Sequence, residues 1–545
     1  MFRENKAHLQ NNLFNSLSGM DKRFKEKLET SWAGLFYKHV FSQIDEQLFA
    51  PLYSSDNGRP NFPVNIFAGL DIIKHLKGYV DEVLFEEYAY NYQISFALGL
   101  RSIGERYFAP RTFYDYRARL YNYTLDHPQE SDIIFQEFEE LTWHFIEMAH
   151  LNTDEQRMDS SQIMSNIKRA GRLALAYDVL LQGIKACPPE ILSPALKEFL
   201  EPNFKTKLLY KVKDSETSSR LENILNLDAE LIQLVNVDPE LKNQPKIQLL
   251  ERFLKEQADF DDKRKVWLAK EDKAIAARSL QSAYDAEATY RKKAGKDHVG
   301  YVVNLAETCA EDNPVQIITH YQLEPNSTSD IEMIQKNLPE LKETTDVKEL
   351  YLDGGYYSSE VVKQAETLDV NLHYTDMTGR TVTSGKLPYN AFSISHYEKI
   401  LACPEGQGPV RSHINPKNGI LSAHFDLNIC SQCLVKEQCP VKVQKKDTVL
   451  YVSQKALIAE NTRLTIQNGE ERRESGSKRA AVEGTNSALK RARGAGKLKV
   501  RGIVRCSLVM GLKTIAHNFH QIVRFIQGDT RQKVLRRRVR VAVSI

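Results

Sequence analysis

No uninterrupted apolar segment in this 545-residue chain approaches the ~20 residues that a membrane-spanning helix requires, which excludes a helical membrane protein. The opening stretch, MFRENKAHLQNN, carries charges with no apolar block behind them, so a secretory signal is not expected. Cysteine is scarce. Seven in so long a chain do not make a disulfide scaffold, and reduced thiols or metal ligands in a cytoplasmic protein are the expectation. A phosphate-binding loop is also missing. GRTVTSGKL resembles one, but five residues separate Gly379 from Gly385 and Leu387 follows the Lys. The motif needs four residues and then Ser or Thr, so ATP dependence is not expected.

What is present is ordinary globular composition, 42% hydrophobic and 27% charged, at a length that suggests about three or four domains. The net charge of +3 hides an asymmetry. From Arg472 to Ile545 there are nineteen Lys or Arg against three Asp or Glu, densest in RQKVLRRRVRVAV. A cluster of this kind is the electrostatic footprint of a nucleic-acid partner.

Residues 1–125 read as a helical domain. NFPVNIFAGLDIIKHLKGYVDEVLFEEYAYNYQISFALGL spaces its apolar side chains by three and four, with Gly78 and Gly99 as punctuation. In the basic, aromatic segment that follows, Pro110 and Thr112 mark a helix start, and Arg117 and Arg119 project from that helix as candidate DNA contacts. A charged helical insertion is expected over 180–290. From Gly300 the rhythm changes: GYVVNLAETC and PVQIITHYQLEP read as strands, STSDIEMIQKNLPELKE as a helix, VKELYLD as a strand, SSEVVKQAETLD as a helix and VNLHYTD as a strand. That order is mixed α/β, and RMDSSQIMSNI upstream supplies one more strand, with Asp159 on it.

Asp353 closes the VKELYLD strand, immediately before two glycines. Asp-Gly forms turns readily, which is one reading of the pair. The other is a metal-binding carboxylate at a strand tip, joined in space by Asp159 from a second strand. Hard oxygen donors of this type suit Mg²⁺ or Mn²⁺, and two such ions can clamp both the attacking and the leaving oxygen of a phosphodiester. Glu483, in SKRAAVEGTNSALKRARGAGKLKVRG, is the candidate third acid. Arg479, Asn486 and Lys490 stand four before, three after and seven after it, on one side of a helix. Arg479, Lys490, Arg491 and Arg493 are the candidate phosphate contacts on this segment.

Four stretches together resemble a bacterial insertion-sequence transposase of the DDE class with an InsH-like N-terminal domain. They are GYVDEVLFEEYAYNYQISFALGL…PRTFYDYRARL, MDSSQIMSNI, YLDGGYYSSE and RAAVEGTNSALKRA. The resemblance implies an RNase H-like core over 150–400 and 470–530, with Asp159, Asp353 and Glu483 as the catalytic, magnesium-binding triad. Arg479 and Lys490 fit the Arg and Lys of the extended signature of related transposases. A Tyr precedes that Arg by three residues in the signature, and here the position is Gly476. The implied partners are double-stranded DNA, both element ends and target, and a second copy of the chain to pair two ends. Two alternatives are a catalytically inactive, domesticated DNA-binding protein and a metal-dependent nuclease that never joins strands.

Residues 401–445 read as a small cysteine-rich insertion. Cys430 and Cys433 form a Cys-x2-Cys pair, Cys439 follows, and Cys403 is the candidate fourth ligand of a tetrahedral zinc site. His413 and His424 are substitute ligands, PKNGIL suggests a hairpin turn, and the alternative is four reduced thiols. Cys187, Cys309 and Cys506 are isolated and expected to be buried. The basic end, 530–545, is expected to track the DNA backbone.

Overall fold

A computed structural model of the chain describes residues 1–10, 15–210, 213–293, 295–375, 385–395, 398–457 and 469–543. Gly379 of the P-loop-like stretch lies outside them, as do Ser544 and Ile545 at the basic end.

Seven helices lead the chain: α1 (Lys22–Glu29), α2 (Trp32–His39), α3 (Val64–Lys77), α4 (Asp81–Tyr90), α5 (Tyr92–Ala97), α6 (Pro110–Asp126) and α7 (Ile133–Ala149). Pro110 opens α6 at the position where a missing N–H costs nothing. Gly78 ends α3 with φ +73, a left-handed cap that a Cβ would disfavour. α3 is buried on nearly every side. These helices do not enclose a core of their own. Phe36 of α2 packs edge-on against Phe519 of the C-terminal helix (Ile503–Val543), with ring centroids 5.2 Å apart. The same apolar cluster continues through Phe138 and Phe145 to Tyr301, Val303 and Leu305 of the central sheet.

That sheet has six strands. β1 (Glu155–Ile163) lies in its middle. β2 (Ala258–Asp261) and β3 (Val266–Ala269) form a separate hairpin, and the rest of the sheet is β4 (Thr289–Lys293), β5 (Lys296–Thr308), β6 (Ile318–Pro325), β7 (Glu349–Asp353) and β8 (Asn371–Thr375). β5 runs antiparallel to β1, β4 and β6, whereas β7 is parallel to both β1 and β8. The strands and helices read from 300 onward therefore form where the sequence places them. Two further helices, α14 (Asp330–Thr344) and α15 (Ser359–Thr367), pack Ile334, Leu338 and Val361 against Met158, Ala306, Leu350 and Leu352 of the sheet. Ser329 and Glu332 close a capping box at the start of α14.

Alternation of side chains along β1 sends Met158 toward that helical layer, and Arg157 and Asp159 to the other face. The helix Gly469–Ala492 lies on this second face, against β1, β7 and β8. Gly300, at φ +137, allows β5 to pass so close to β1 that a Cβ would stand 2.5 Å from the Ile163 carbonyl oxygen.

Between β1 and β4, helices α8 (Arg172–Lys185), α9 (Pro194–Glu198), α10 (Phe204–Leu209), α11 (Asp214–Val235), α12 (Pro239–Lys242) and α13 (Pro245–Gln257) surround a distinct apolar core. The helical reading fails after Gln257. There β2 and β3 pair, Phe260 and Trp267 bring their rings to 5.3 Å, and the Asn226 side chain both donates to and accepts from the Trp267 backbone. Docking on α11 thus overrides the helix-like spacing of KRKVWLAKEDK. The segment that follows is held by Asp285, which accepts from Tyr301 Oη at 2.6 Å and from Ser165 Oγ.

Residues 393–453 hold a second small sheet region. β9 (Ser393–Ser395) pairs β10 (Lys399–Ala402), while β11 (Arg411–Asn415), β12 (Ile420–Asp426), β13 (Lys442–Val443) and β14 (Asp447–Ser453) form four strands, with helix α16 (Leu427–Ser431) after β12. The turn at PKNG joins β11 to β12 with Gly419 at φ +61, as its sequence suggests. No helix among the described residues is long and apolar enough to cross a membrane.

Candidate active site

β1 and β7 are adjacent and parallel, with Arg157 opposite Tyr351. Two residues further along each strand stand Asp159 and Asp353, on the same face by the period of two. The third acid arrives from the helix across that face. Arg479 joins all three: its Nη2 is 3.8 Å from Asp159 Oδ1 and 3.6 Å from Asp353 Oδ2, and its Nη1 is 3.2 Å from Glu483 Oε1. Asn486 Nδ2 donates to the other oxygen of Asp159 at 3.1 Å.

The environments of the acids differ. Asp159 is largely enclosed, and burial pushes its carboxyl up to about 6 despite the opposing pull of Arg479 and Lys293. Asp353 is more open and Glu483 the most exposed of the three. Asp353 Oδ1 also accepts from the Gly355 N–H at 3.0 Å, so the turn reading of Asp-Gly holds together with the strand-tip reading. Neither Gly354 nor Gly355 needs a left-handed backbone. A Cβ on Gly355 would instead crowd Asp330 Oδ2 at 3.2 Å. Tyr356 is a core residue beneath the site, donating to Asn304 Oδ1 at 2.7 Å.

Several groups that position the site escape sequence reading. Glu307, buried on β5, pairs with Arg157 at 2.6 Å and accepts from Thr485 at 2.7 Å. Arg157 also donates to the Lys478 carbonyl, and Lys478 pairs with Glu155 at 2.6 Å. These bonds key the Glu483 helix to the sheet. Asp330 accepts from Ser160 at 2.8 Å and faces Arg291 at 3.6 Å, so a fourth acid stands behind the cluster. The available signal was a charged residue inside an apolar strand, as at Glu307 in GYVVNLAETC.

The cations chosen from sequence separate into two groups. Lys490 lies near Asp159 and Lys293, with burial lowering its pKa, and Arg491 is exposed. Of the remaining three, Arg119 is exposed, as expected of a projecting side chain, whereas Arg117 is drawn onto acids and Arg493 is buried. Arg117 forms a two-toothed pair with buried Asp71 and a second pair with Asp81. Arg119 donates to the Leu52 carbonyl and lies over the Tyr53 ring. Arg493 is buried, donating to the Leu76 carbonyl while its own carbonyl accepts from Lys513. The charges of Arg117 and Arg493 are used inside the protein, because each meets an acid or carbonyl that burial would otherwise leave without a partner.

Cys403, Cys430, Cys433 and Cys439 line one cavity of about 260 Å³, all as free thiols. Cys403 and Cys430 each stand at the head of a turn closed on their own carbonyl, from Gly406 and Cys433. His424 pairs with Asp447 at 2.6 Å and His413 contacts Ser422, and neither lines that cavity. Cys187, Cys309 and Cys506 are buried, as expected. Among the described residues no group of three or more His, Cys, Asp or Glu side chains is arranged to hold a metal ion as it stands. At the acid cluster, a guanidinium reaches all three carboxylates.

Two segments match protein-family models. Residues 402–523 match the family described as Transposase DDE domain, and residues 24–119 match the Transposase domain (DUF772). No curated protein and no solved structure matches the chain. The first match contains Glu483, Arg479, Lys490 and the four clustered cysteines, and it begins after the strands that carry Asp159 and Asp353. Geometry alone brings those two to the matched domain.

Proposed function

We propose that this chain, an insertion-sequence DDE transposase by its two matched domains, cuts the DNA ends of its own mobile element and joins each 3′-hydroxyl to target DNA. The observation that carries this reading is the convergence of Asp159, Asp353 and Glu483 on one cation, Arg479, within 3.8 Å. Three carboxylates around a positive charge are a donor set that fits Mg²⁺ or Mn²⁺, both of which prefer a few hard oxygens. Asp159, Asp353 and Glu483 would hold the metal, which supplies activation of water and charge relief on the departing oxygen of a phosphodiester.

The chain's own residues do the rest. Asn486 orients Asp159, leaving its other oxygen turned toward the cluster. The Glu307–Thr485 and Arg157–Lys478 bonds keep Glu483 over the strand tips. Lys490 and exposed Arg491 offer cations to the phosphate backbone, and the basic C-terminal segment extends that track. The order β6-β5-β1-β7-β8, antiparallel on one side of β1 and parallel on the other, supports an RNase H-like core. The Cys-x2-Cys spacing, with Cys439 and Cys403 on the same cavity, is the reason to propose a structural zinc within the matched domain, for which the four thiols would have to draw together. Pairing two element ends calls for two copies of the chain, acting on the DNA of a bacterial cytoplasm.

The test is incubation with Mg²⁺, labelled element ends and a target plasmid. Joined products are expected. Cut ends alone mean a nuclease, and shifted but intact DNA means a binding protein. Asp353→Asn is expected to retain DNA binding and lose cutting; undiminished cutting by that variant removes Asp353 from the chemistry.

A further inference from the structure

Arg479 is the best-connected cation of the site, and its partners are the same oxygens that a metal ion would require. It is only 11% exposed at the side chain, and it reaches acids drawn from two strands and a helix. Three carboxylates packed together repel one another, and enclosing them without a cation is costly. One guanidinium relieves this only in part, since three formal negative charges meet one positive. The separations of 3.2–3.8 Å also match a broad planar cation. A divalent ion binds oxygen at about 2.0–2.2 Å and would draw the carboxylates inward, onto space the guanidinium now faces. Guanidinium and metal therefore compete for one set of oxygens.

We infer that Arg479 is the resident counter-ion of the acid cluster, displaced when a divalent metal ion enters and then turned to a DNA phosphate. The inference rests on the acids being the metal ligands, as proposed above. It assigns Arg479 a positioning role with two partners in succession. A guanidinium suits both, because its fork matches carboxylate and phosphate alike. Lys490 and Lys293, near Asp159, add positive charge beside the cluster without reaching all three acids. A consequence is reciprocal coupling: DNA that engages Arg479 makes the acids more available, so DNA tightens metal binding and metal tightens DNA binding.

The experiment is Mn²⁺ titration of the full chain by calorimetry, with and without a short duplex of arbitrary sequence. Arg479→Gln is expected to bind Mn²⁺ about tenfold more tightly than the wild type without DNA, because a competing charge is gone. It is also expected to lose the gain in Mn²⁺ affinity that the duplex gives the wild type. Equal or weaker Mn²⁺ binding by Arg479→Gln overturns the inference. Asp353→Asn in the same titration separates the two readings. If it binds Mn²⁺ as well as the wild type, the acids are not the ligands and the proposed function fails with the inference. If it loses Mn²⁺ while Arg479→Gln changes nothing, only the counter-ion role fails. A measurement on the wild type avoids any folding defect of the variant: phenylglyoxal labelling, read at Arg479 by mass spectrometry, should rise when Mn²⁺ is added. Labelling that stays constant or falls overturns displacement.

Discussion

Thr485 Oγ1 donates a 2.7 Å hydrogen bond to Glu307 Oε2, and this buried contact sets how the Glu483 helix turns over the sheet. Glu307 is almost wholly enclosed and its second oxygen is held by Arg157. Burial raises the Glu307 pKa, opposed by Arg157 and the Thr485 bond, so the carboxylate depends on both partners. Thr485→Val leaves one lone pair without its donor and should cost about 1–3 kcal/mol in urea unfolding. Glu307→Ala leaves Arg157 as an enclosed charge and should cost about 3–5 kcal/mol. Both variants keep all three acids, yet both should cut DNA more slowly, since Glu483 lies two residues from Thr485. Wild-type cutting by a folded Thr485→Val would show that helix orientation does not matter.

Parts of this site are legible in sequence for a simple reason. Asp353 interrupts an apolar strand run at its end, and Asp159 sits in a segment of strand type, so an acid at a sheet edge is visible locally. Glu307 is not, because its meaning depends on Arg157 and Thr485, which are 150 and 178 residues away. The same limit applies to Arg117, whose spacing on α6 marks it as a projecting cation. Only the fold reveals that Asp71 and Asp81 from α3 and α4 meet it. The β2–β3 hairpin was hidden in helix-like spacing because its stability comes from Asn226 and the face of α11 rather than from local preference. The strands from β5 to β8 were plain, since β-branched runs and turn residues bound each of them.

Arg117→Ala tests the reassignment of that residue. Asp71 would be left buried and unpaired, so the variant should lose about 3–5 kcal/mol of stability. The slope of DNA affinity against salt concentration should not change, because no phosphate contact is removed. Arg491→Ala should behave in the opposite way, with stability intact and a salt slope shallower by roughly one phosphate contact. A shallower slope for Arg117→Ala would return it to the DNA interface.

The cysteines make a separate claim. Metal analysis of protein purified without chelator should find about one zinc per chain, as a four-thiolate site binds. Burial raises the Cys439 pKa, and the other three sulfurs add to the rise, so this thiol is hard to ionise without a cation beside it. Cys430→Ser with Cys433→Ser should abolish zinc and lower the melting temperature. Equal stability with no zinc in the wild type would identify four reduced thiols.

The packing of the C-terminal helix should be sensitive to acid through His517. Burial holds the pKa of this histidine down at about 4, against 6.5 for a free imidazole, and Arg493, His520 and Arg524 push it the same way. Between those values the unfolded chain takes up a proton that the folded chain refuses. Stability from this residue is therefore complete above about pH 6.5 and is lost as pH falls toward 4, by up to roughly 2–3 kcal/mol. Other groups titrate in the same range. Buried Asp132, raised to about 6, contributes with the opposite sign, so the informative quantity is the difference between the wild type and His517→Gln. Unfolding measured at several pH values should give curves that converge as acid is added, because the variant has no imidazole to protonate. Curves that stay parallel from pH 7 to pH 4 would mean that His517 is solvated rather than enclosed in the folded chain.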